Sequence, residues 1–424
     1  MKAKPQKTSA PFSFSRRNAL KTLAIGSFVA AAPSFATSTK QNDCLAAYHK
    51  TIPFEGLHQA GVITPEQKSA SFIAFNVTID SLDKLQQLFE ILTKRIAYLT
   101  QQQVAPANHN DKMPPAESGI LGTHIQPDSL TVTVSLGDSL FDSRFGLDAV
   151  KPHYLVEMTG FPNDRLEKNW CGGDIVLQFC ANSQESVIYA LRDILSHTAS
   201  FMSPLWKIDG FLPSRDIDQR STPINLFGFK DGTGNAPNDD KQLMDELIWI
   251  TPGSKEPAWC TGGTYQAVRL IRFNLEFWDR TPLEDQENDF GRHKNTGAPI
   301  GLKHEHDDPE FTKDPHGDRI LFDSHMRRAE PRNPERYTAK LRRRSYSYSL
   351  GLTPTGLLDM GLIFVSYQKN LKTGFIDTQK RLNGEPLERY IKPFGGGYYF
   401  VLPGVENGQS YFAEGMFKAL KNIK

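Results

Sequence analysis

The chain has 424 residues, of which 39% are hydrophobic and 23% are charged, a composition typical of a soluble globular protein. The charges of its 49 basic and 48 acidic residues nearly cancel. Six of the basic residues lie in positions 1–36, which contain no acidic residue, so the rest of the chain carries a small net negative charge. An acidic chain without a basic stripe argues against nucleic acid as a partner. The length predicts two domains, or one large domain built from two halves.

Residues 1–36 are predicted to be an export signal. Arg16 and Arg17 precede a short, moderately apolar run at 22–32, and residues 34–36 offer small side chains at the positions that a signal peptidase reads. Twin arginines indicate the Tat pathway and therefore the periplasm. The apolar run is too short to cross a bilayer core of about 30 Å, so no membrane span is expected. Because Tat carries folded proteins, the signal also hints at a cofactor that is inserted before export.

The next part of the chain predicts a βαββαβ pattern. Apolar and polar residues alternate within the predicted strands, which favours an antiparallel sheet with helices on one face, as in a ferredoxin-like fold. The predicted strands are 69–79, 129–137, 174–182 and 203–211, and the predicted helices are 81–101 and 183–197.

The second half repeats this pattern more loosely. Strands are predicted at 224–229, 265–273, 344–352, 359–368 and 398–404, and helices at 370–382 and 410–420. We therefore predict an α+β fold of two ferredoxin-like half-domains with antiparallel sheets, an N-terminal one at 37–215 and a C-terminal one at 216–424. The charged, Pro-rich and His-rich stretch 281–334 lacks a clear period and is predicted to form long loops, which are often functional.

One short motif stands out, "NLFGFKDGTGN" at 225–235. It places a single carboxylate, Asp231, after an apolar run and encloses it with Gly232, Thr233 and Gly234. An ordinary turn is one interpretation, since Asp-Gly is a common turn dipeptide. The other is an acid directed at a ligand that the backbone approaches closely, which glycine permits.

Three further residues downstream fit the second interpretation. His325 lies within "DSHMRRAEPR", Arg343 follows eighteen residues later within "LRRRSYSYSLG", and Asp359 stands on a predicted strand. A glycine-flanked acid, a histidine, an arginine and a second acid are groups that haem–peroxide chemistry could use.

At this point the sequence resembles the dye-decolourising (DyP-type) haem peroxidase family. "GFKDG" matches the GxxDG motif of that family, "DSHMRRAEPR" is similar to its proximal-histidine segment, and "RRSYSYSLG" is similar to its distal-arginine segment. "EFWDRTPL", "GFIDTQKRLNGEPLE" and "KPFGGGYYF" extend the resemblance over nearly the whole chain after the signal. It is greatest to Tat-exported members that serve ferrous-iron uptake, and it implies the dimeric α+β barrel type of fold.

The resemblance implies one haem b per subunit, with His325 as the proximal iron ligand. Asp359 would accept the other ring N–H of that histidine and favour O–O cleavage. Asp231 would shuttle a proton on the peroxide, and Arg343 would stabilise the developing negative charge. The remaining expected haem contacts are Gly232, Thr233 and Gly234 along the macrocycle and Glu330, Pro331 and Arg332 near a propionate. Glu330 replaces the family's Asn, and its charge would repel a propionate, whereas Arg332 would pair with one.

The function implied is a periplasmic peroxidase that oxidises organic substrates with hydrogen peroxide. Release of iron from haem with the tetrapyrrole ring intact, a deferrochelatase activity, is implied beside it. The implied partners are hydrogen peroxide, haem or another organic reductant, components of an iron-uptake system, and a second copy of the chain in a homodimer. One alternative is a non-enzymatic haem- or iron-binding protein. Another is a metal-binding module that uses the segment "HEHDD" at 304–308 with His316.

Several residues keep two interpretations at this level. Phe364 fits either the distal side of the haem or the core. Four tyrosines fit either electron relay to surface substrates or core packing: Tyr346, Tyr348, Tyr398 and Tyr399. The four cysteines contain no CxxC pair, which argues against a zinc or redox site, and their pairing is not decided by the sequence.

Overall fold

The structure is a computed structural model that describes residues 50–101, 112, 120–122, 126–213, 222–331, 341–406 and 410–423. The predicted export signal lies outside these residues, as do Cys44 and Arg332.

Nine strands and eight α-helices are present in the described part of the chain. The strands are β1 (Ser69–Val77), β2 (Thr131–Gly137), β3 (Ile175–Ala181), β4 (Met202–Phe211), β5 (Thr264–Phe273), β6 (Arg342–Arg343), β7 (Tyr346–Leu352), β8 (Leu358–Gln368) and β9 (Ile391–Val401). The helices are α1 (Leu82–Thr100), α2 (Gln184–Thr198), α3 (Lys241–Leu247), α4 (Leu275–Trp278), α5 (Leu283–Phe290), α6 (His325–Ala329), α7 (Asp377–Leu382) and α8 (Glu414–Ile423). A π-helical segment, Lys372–Ile376, leads into α7.

Helix α1 shows how local sequence sets these elements. The Ser81 hydroxyl accepts a hydrogen bond from the Lys84 N–H at 3.4 Å and so caps the helix, while Asp83 places a negative charge in the first turn. Leu85, Leu88 and Leu92 recur at helical spacing and are fully buried, so one face of the helix packs on the sheet.

The strands form two similar sheets that close on each other. In space the first four run β4-β1-β3-β2, and the second set runs β9-β5-β8-β7, so each half has the same order. The pairs β2–β9 and β4–β7 join the halves into a closed ring of eight strands, and the short β6 adds to β8. Every pair is antiparallel. The predicted α+β fold with two ferredoxin-like halves and a barrel-type sheet is confirmed.

Alternate residues of each strand serve different cores, as the period of two requires. Phe72 and Ala74 of β1 face the barrel interior with Ile363 and Val365 of β8. Ile73 belongs to the core beneath α1, α2 and α8. A third, aromatic cluster occupies the outer face of the second half and includes Phe227, Phe273, Trp278 and Tyr390.

Three sequence predictions in the second half are wrong. Residues 224–229 form no strand but a turn closed by a single bridge between Ile224 and Lys230, because the segment reverses within seven residues. The predicted loop region 281–334 contains helices α5 and α6. Strand β9 begins at Ile391, seven residues before the predicted start at 398.

The remaining sequence predictions concern the cysteines, a membrane span and the domain boundaries. Cys171, Cys180 and Cys260 are free thiols. Within the described residues, no helix is both long enough and apolar enough to cross a membrane. The boundaries at 36/37 and 215/216 stay predictions.

Candidate active site

A cavity of about 1280 Å³ lies against the outer face of the second half. It is larger than the ~300–1,000 Å³ typical of small-molecule sites. Aromatic and aliphatic side chains form much of its wall, including Phe227, Phe273, Phe290, Leu362, Phe364 and Leu387. The ionisable side chains that line it include Asp231, His325, Arg343 and Glu385. A large cavity whose apolar walls are combined with many ionisable groups suits a large cofactor that has an apolar body and charged substituents.

The turn before Asp231 is built by backbone and amide hydrogen bonds. The Asn225 side-chain oxygen accepts the N–H groups of Phe227 and Phe229, and the Asp231 N–H donates to the Pro223 carbonyl at 2.7 Å. Gly232 follows with φ of 126°, a conformation that residues with a Cβ rarely adopt. The glycine after the acid is therefore required by the turn itself, which projects Asp231 into the cavity.

Asp231 and Arg343 meet across 112 positions of sequence. The Arg343 Nη1 donates to Asp231 Oδ1 at 3.0 Å, and 16% of the Asp231 side chain and 27% of the Arg343 side chain remain exposed. Asn235 of the same turn holds the backbone of Arg343 at two points: its amide donates to the Arg343 carbonyl at 2.8 Å and accepts the Arg343 N–H at 2.9 Å. The loop and strand β6 are thus tied together beside the ion pair.

Strand alternation separates Arg343 from its two arginine neighbours. Arg342 donates to Glu66 at 2.8 Å, and Arg344 donates to the Thr64 carbonyl. Both neighbouring side chains are buried, whereas Arg343 alone of the three lines the cavity. Of the three arginines, Arg343 is therefore the one that can meet a ligand in the cavity.

His325 is the first residue of the short helix α6. Because five residues form few helical hydrogen bonds, contacts with other parts of the chain stabilise this helix. The buried Arg327 donates to Asp314 Oδ2 at 2.8 Å and to the Ile320 carbonyl at 2.6 Å. Arg381 donates to the Ala329 carbonyl at 2.8 Å, which satisfies the C-terminal end of the helix. These contacts fix the helix on which the imidazole stands.

The His325 ring is oriented by Glu385. Nδ1 of His325 lies 2.7 Å from Glu385 Oε2, and because a carboxylate only accepts, Nδ1 must donate its proton. Nε2 is then the ring nitrogen available to a metal in the cavity. Burial opposes a charged imidazole, but the charge and hydrogen bond of Glu385 outweigh burial and raise the pKa of His325 above its ordinary value. The charges of Arg343 and Asp231 also reach His325, so the three groups share one electrostatic environment.

The expected partner of His325, Asp359, is elsewhere, and this prediction is wrong. Arg272 donates to both Asp359 oxygens, at 2.9 and 3.1 Å, and Tyr348 donates to Oδ1 at 3.3 Å. Along β8, Leu362 and Phe364 line the cavity, so the odd-numbered Asp359 belongs to the opposite face of the sheet. Sequence reasoning missed Glu385 because nothing local distinguishes it from the other acids near α7.

The remaining predicted site residues divide between the cavity and its surroundings. Thr233, Gly234 and Glu330 line the cavity, and Gly232 shapes the turn beside it. Pro331 is exposed and does not line the cavity, and Arg332 lies outside the described residues.

The structure also shows the surroundings of the four tyrosines and of the 304–308 segment. The four tyrosines Tyr346, Tyr348, Tyr398 and Tyr399 are buried in the hydrophobic cores. Among the described residues, no group of three or more His, Cys, Asp or Glu side chains could hold a metal ion, so the 304–308 segment with His316 forms no such cluster.

In the haem protein that the sequence resemblance implies, replacing Glu385 with glutamine is expected to slow the reaction with peroxide by about 10- to 100-fold. Glutamine can still accept the Nδ1 proton but lacks the charge that makes the imidazole a stronger electron donor to a metal. The measurement is the second-order rate constant for peroxide, together with the reduction potential of the haem iron, which should rise.

A matched control exists in the same chain. His293 Nδ1 lies 2.9 Å from Glu287 Oε2, and neither residue lines the cavity. Glu287→Gln should leave the rate and the potential unchanged. A wild-type rate and potential in Glu385→Gln would show that the carboxylate does not tune His325.

Models of known protein families match both halves of the chain. A model described as Dyp-type peroxidase, N-terminal, matches residues 59–212, and one described as Dyp-type peroxidase, C-terminal, matches residues 222–406. The deferrochelatase of Escherichia coli (strain K12) is 51% identical over 374 residues, 88% of this chain and 88% of the relative. The deferrochelatase of Shigella flexneri serotype 5b (strain 8401) is 50% identical over 88% of this chain and 89% of the relative.

Solved structures give the same result. The DyP-type peroxidase from Cellulomonas bogoriensis superposes with a TM-score of 0.77 at 30% identity, over 88% of this chain and 99% of that chain. Ferric DtpA from Streptomyces lividans superposes with a TM-score of 0.78 at 28% identity, over 89% of this chain and 98% of that chain.

Proposed function

The chain belongs to the Dyp-type peroxidase family, and we propose on this basis that it is a haem b peroxidase that oxidises organic substrates with hydrogen peroxide. The observation that carries the proposal is the cavity in which His325, Asp231 and Arg343 come together. These three residues derive from a helix, a turn and a strand far apart in sequence, which core packing alone does not require.

The residues present fit a haem. An imidazole with Nδ1 held by a carboxylate and Nε2 available is the usual arrangement of a histidine that binds a metal. The aromatic and aliphatic walls suit the macrocycle, and Thr233 and Gly234 would pass close to it. When bound, the haem supplies an iron centre that takes up the oxidising equivalents of hydrogen peroxide and passes them to an organic substrate.

Asp231 would handle the peroxide proton. Its Oδ1 is held by Arg343, and among the described residues none donates to Oδ2, so Oδ2 can accept a proton from one peroxide oxygen and return it to the other. Protonated in this way, the outer oxygen would be ready to leave as water, and the bound haem would supply the two electrons that this cleavage needs. Arg343 keeps its positive charge throughout and stabilises the negative charge that develops on the peroxide as the O–O bond breaks.

We further propose that the protein releases iron from haem with the ring intact. Support comes from the curated relatives at 50–51% identity, which are named deferrochelatases. The test is to incubate haem-loaded protein with and without peroxide and an organic reductant, then extract the tetrapyrrole. Iron-free protoporphyrin would support iron release, and an oxidised reductant with unchanged haem would support peroxidase action alone. Neither product would favour a non-enzymatic haem-binding protein.

The cellular setting is likewise a proposal. We propose that the protein is located in the periplasm, associates with components of an iron-uptake system and forms a homodimer.

We also propose that Arg332 pairs with a haem propionate. Glu330 lines the cavity, and its negative charge would repel a propionate, so we assign the propionate to Arg332 alone.

Export is testable through the twin arginines. Replacing Arg16 and Arg17 together with lysine is expected to trap the precursor in the cytoplasm, because the Tat pathway reads the paired guanidinium groups. The measurement is peroxidase activity and precursor size in fractionated cells. Undiminished periplasmic activity of the double variant would show that the protein reaches the periplasm by another route.

A further inference from the structure

Glu305 lies in the polar segment 304–308 that no part of the peroxidase reaction uses. Its side chain is only 12% exposed, although it belongs to a run of charged residues on a surface segment. It does not line the cavity but stands behind the loop that carries Asp231.

Among the described residues, the side chains that hydrogen-bond the Glu305 carboxylate come from that loop, and the His306 ring lies 3.9 Å from Oε1. Thr222 Oγ1 donates to Oε1, Thr233 Oγ1 donates to the same oxygen at 3.0 Å, and Lys230 Nζ donates to Oε2. Lys230 immediately precedes Asp231 and Thr233 follows it by two positions. The loop is therefore held on both sides of the acid by one carboxylate.

The segment that carries Glu305 is itself anchored. Arg292 Nη1 donates to the Glu305 carbonyl at 3.0 Å and to the Gly297 carbonyl at 2.6 Å. A Cβ on Gly297 would lie 2.7 Å from Cδ of Lys230, so the segment and the lysine stem are closely packed. Because these contacts anchor the backbone of Glu305, its carboxylate can hold the Asp231 loop in one position.

The charge of Glu305 is maintained by its donors. Burial opposes ionisation, but the hydrogen bonds from Lys230, Thr222 and Thr233 outweigh it and lower the pKa of Glu305. The ionised carboxylate also holds the ammonium of Lys230, the residue next to Asp231.

We propose that Glu305 is a positioning residue for the peroxide reaction, which holds the Asp231 loop at three points. The inference rests on the proposed function, since it takes Asp231 as the proton acceptor. Glu305 touches neither substrate nor cofactor and acts through Asp231.

The test is Glu305→Gln in the haem-loaded full chain. Glutamine keeps the size but loses the charge and turns an N–H₂ group toward a donor. The second-order rate constant for peroxide is expected to fall by about 10- to 100-fold, since small displacements of a catalytic group have effects of this order. Haem affinity and the absorption spectrum should remain those of the wild type.

A double variant separates positioning from general stabilisation. In an Asp231→Asn background, Glu305→Gln should cause no further loss, because the residue it positions is already inactive. An equal further loss in that background, or a wild-type rate in Glu305→Gln alone, would overturn the inference. If Asp231→Asn itself reacts at the wild-type rate, the proposed role of Asp231 fails instead, so the two failures are distinguishable.

Two variants control for damage to the fold. Asp174 is a buried carboxylate with donors from Val77, Ser139 and Arg144 but lies in the other half, so Asp174→Asn should lower the Tm and leave the peroxide rate unchanged. Thr222→Val removes one of the three hydrogen bonds to Glu305 and keeps a side chain of nearly the same shape. It should slow the peroxide reaction less than Glu305→Gln does, and a wild-type rate in both would also overturn the inference.

Discussion

His325→Ala is expected to remove stable haem binding while the protein remains folded. The apolar walls remain, but the available Nε2 that Glu385 orients is lost. We expect Kd for haem to rise by about 100-fold or more, which corresponds to ~2.7 kcal/mol or more. The measurement is a haem titration followed by the Soret absorption band, with circular dichroism to verify folding.

The matched control for this variant is His58. Its Nδ1 is also hydrogen-bonded, to the Gly262 carbonyl at 2.8 Å, and its ring stacks on Trp249, but it does not line the cavity. His58→Ala should cost stability and keep one haem per chain. Normal haem stoichiometry with an unchanged spectrum in His325→Ala would show that another residue holds the iron.

Asp231→Asn is expected to lower the second-order rate constant for peroxide by about 10²- to 10⁴-fold, because an amide cannot accept the proton. Arg343→Leu should lower it by about 10²- to 10³-fold through loss of charge stabilisation. Because the two side chains are hydrogen-bonded at 3.0 Å, the double variant should lose less than the sum of the single effects in free-energy terms. Stopped-flow mixing of each haem-loaded variant with peroxide measures these constants.

A remote ion pair provides the control. Arg95 of helix α1 donates to Asp193 at 2.6 and 2.8 Å, and Asp193 is a fully buried residue of helix α2. Asp193→Asn should lower Tm strongly and leave the peroxide rate unchanged. If Asp231→Asn reacts at the wild-type rate, Asp231 is not the proton acceptor, Arg343 becomes the main catalyst, and the "DGTG" segment is only a turn beside the haem.

The first half of the fold could be predicted closely because its elements carry their own signals. Helix α1 has a serine cap and leucines at helical spacing, and its predicted bounds differ from the observed ones by one residue at each end. The second half depends more on tertiary contacts. Helix α5 buries Gln286 and Asp289 rather than an apolar stripe, so its periodicity was hidden, although Pro282 before it and Gly291 after it, with φ of 79°, are ordinary boundary signals.

The candidate site could be predicted where a motif accompanies the residue. The structure brings Asp231, His325 and Arg343 into one cavity, and each stands in a segment with a recognisable pattern. Glu385 also lies in a segment that resembles the family, but that segment does not reveal its role, which comes from a contact with a residue sixty positions away. Asp359 was wrongly assigned although the alternation of strand residues places it on the face opposite Phe364, which was already a candidate for the distal side of the haem.

The most direct test of the account is to titrate protein purified without haem with increasing haem and to measure peroxide-dependent oxidation of an organic dye at each step. We expect a rate that rises in proportion to added haem and stops rising at one haem per chain. A rate that is independent of haem, or full occupancy of the cavity without peroxide-dependent turnover, would contradict it.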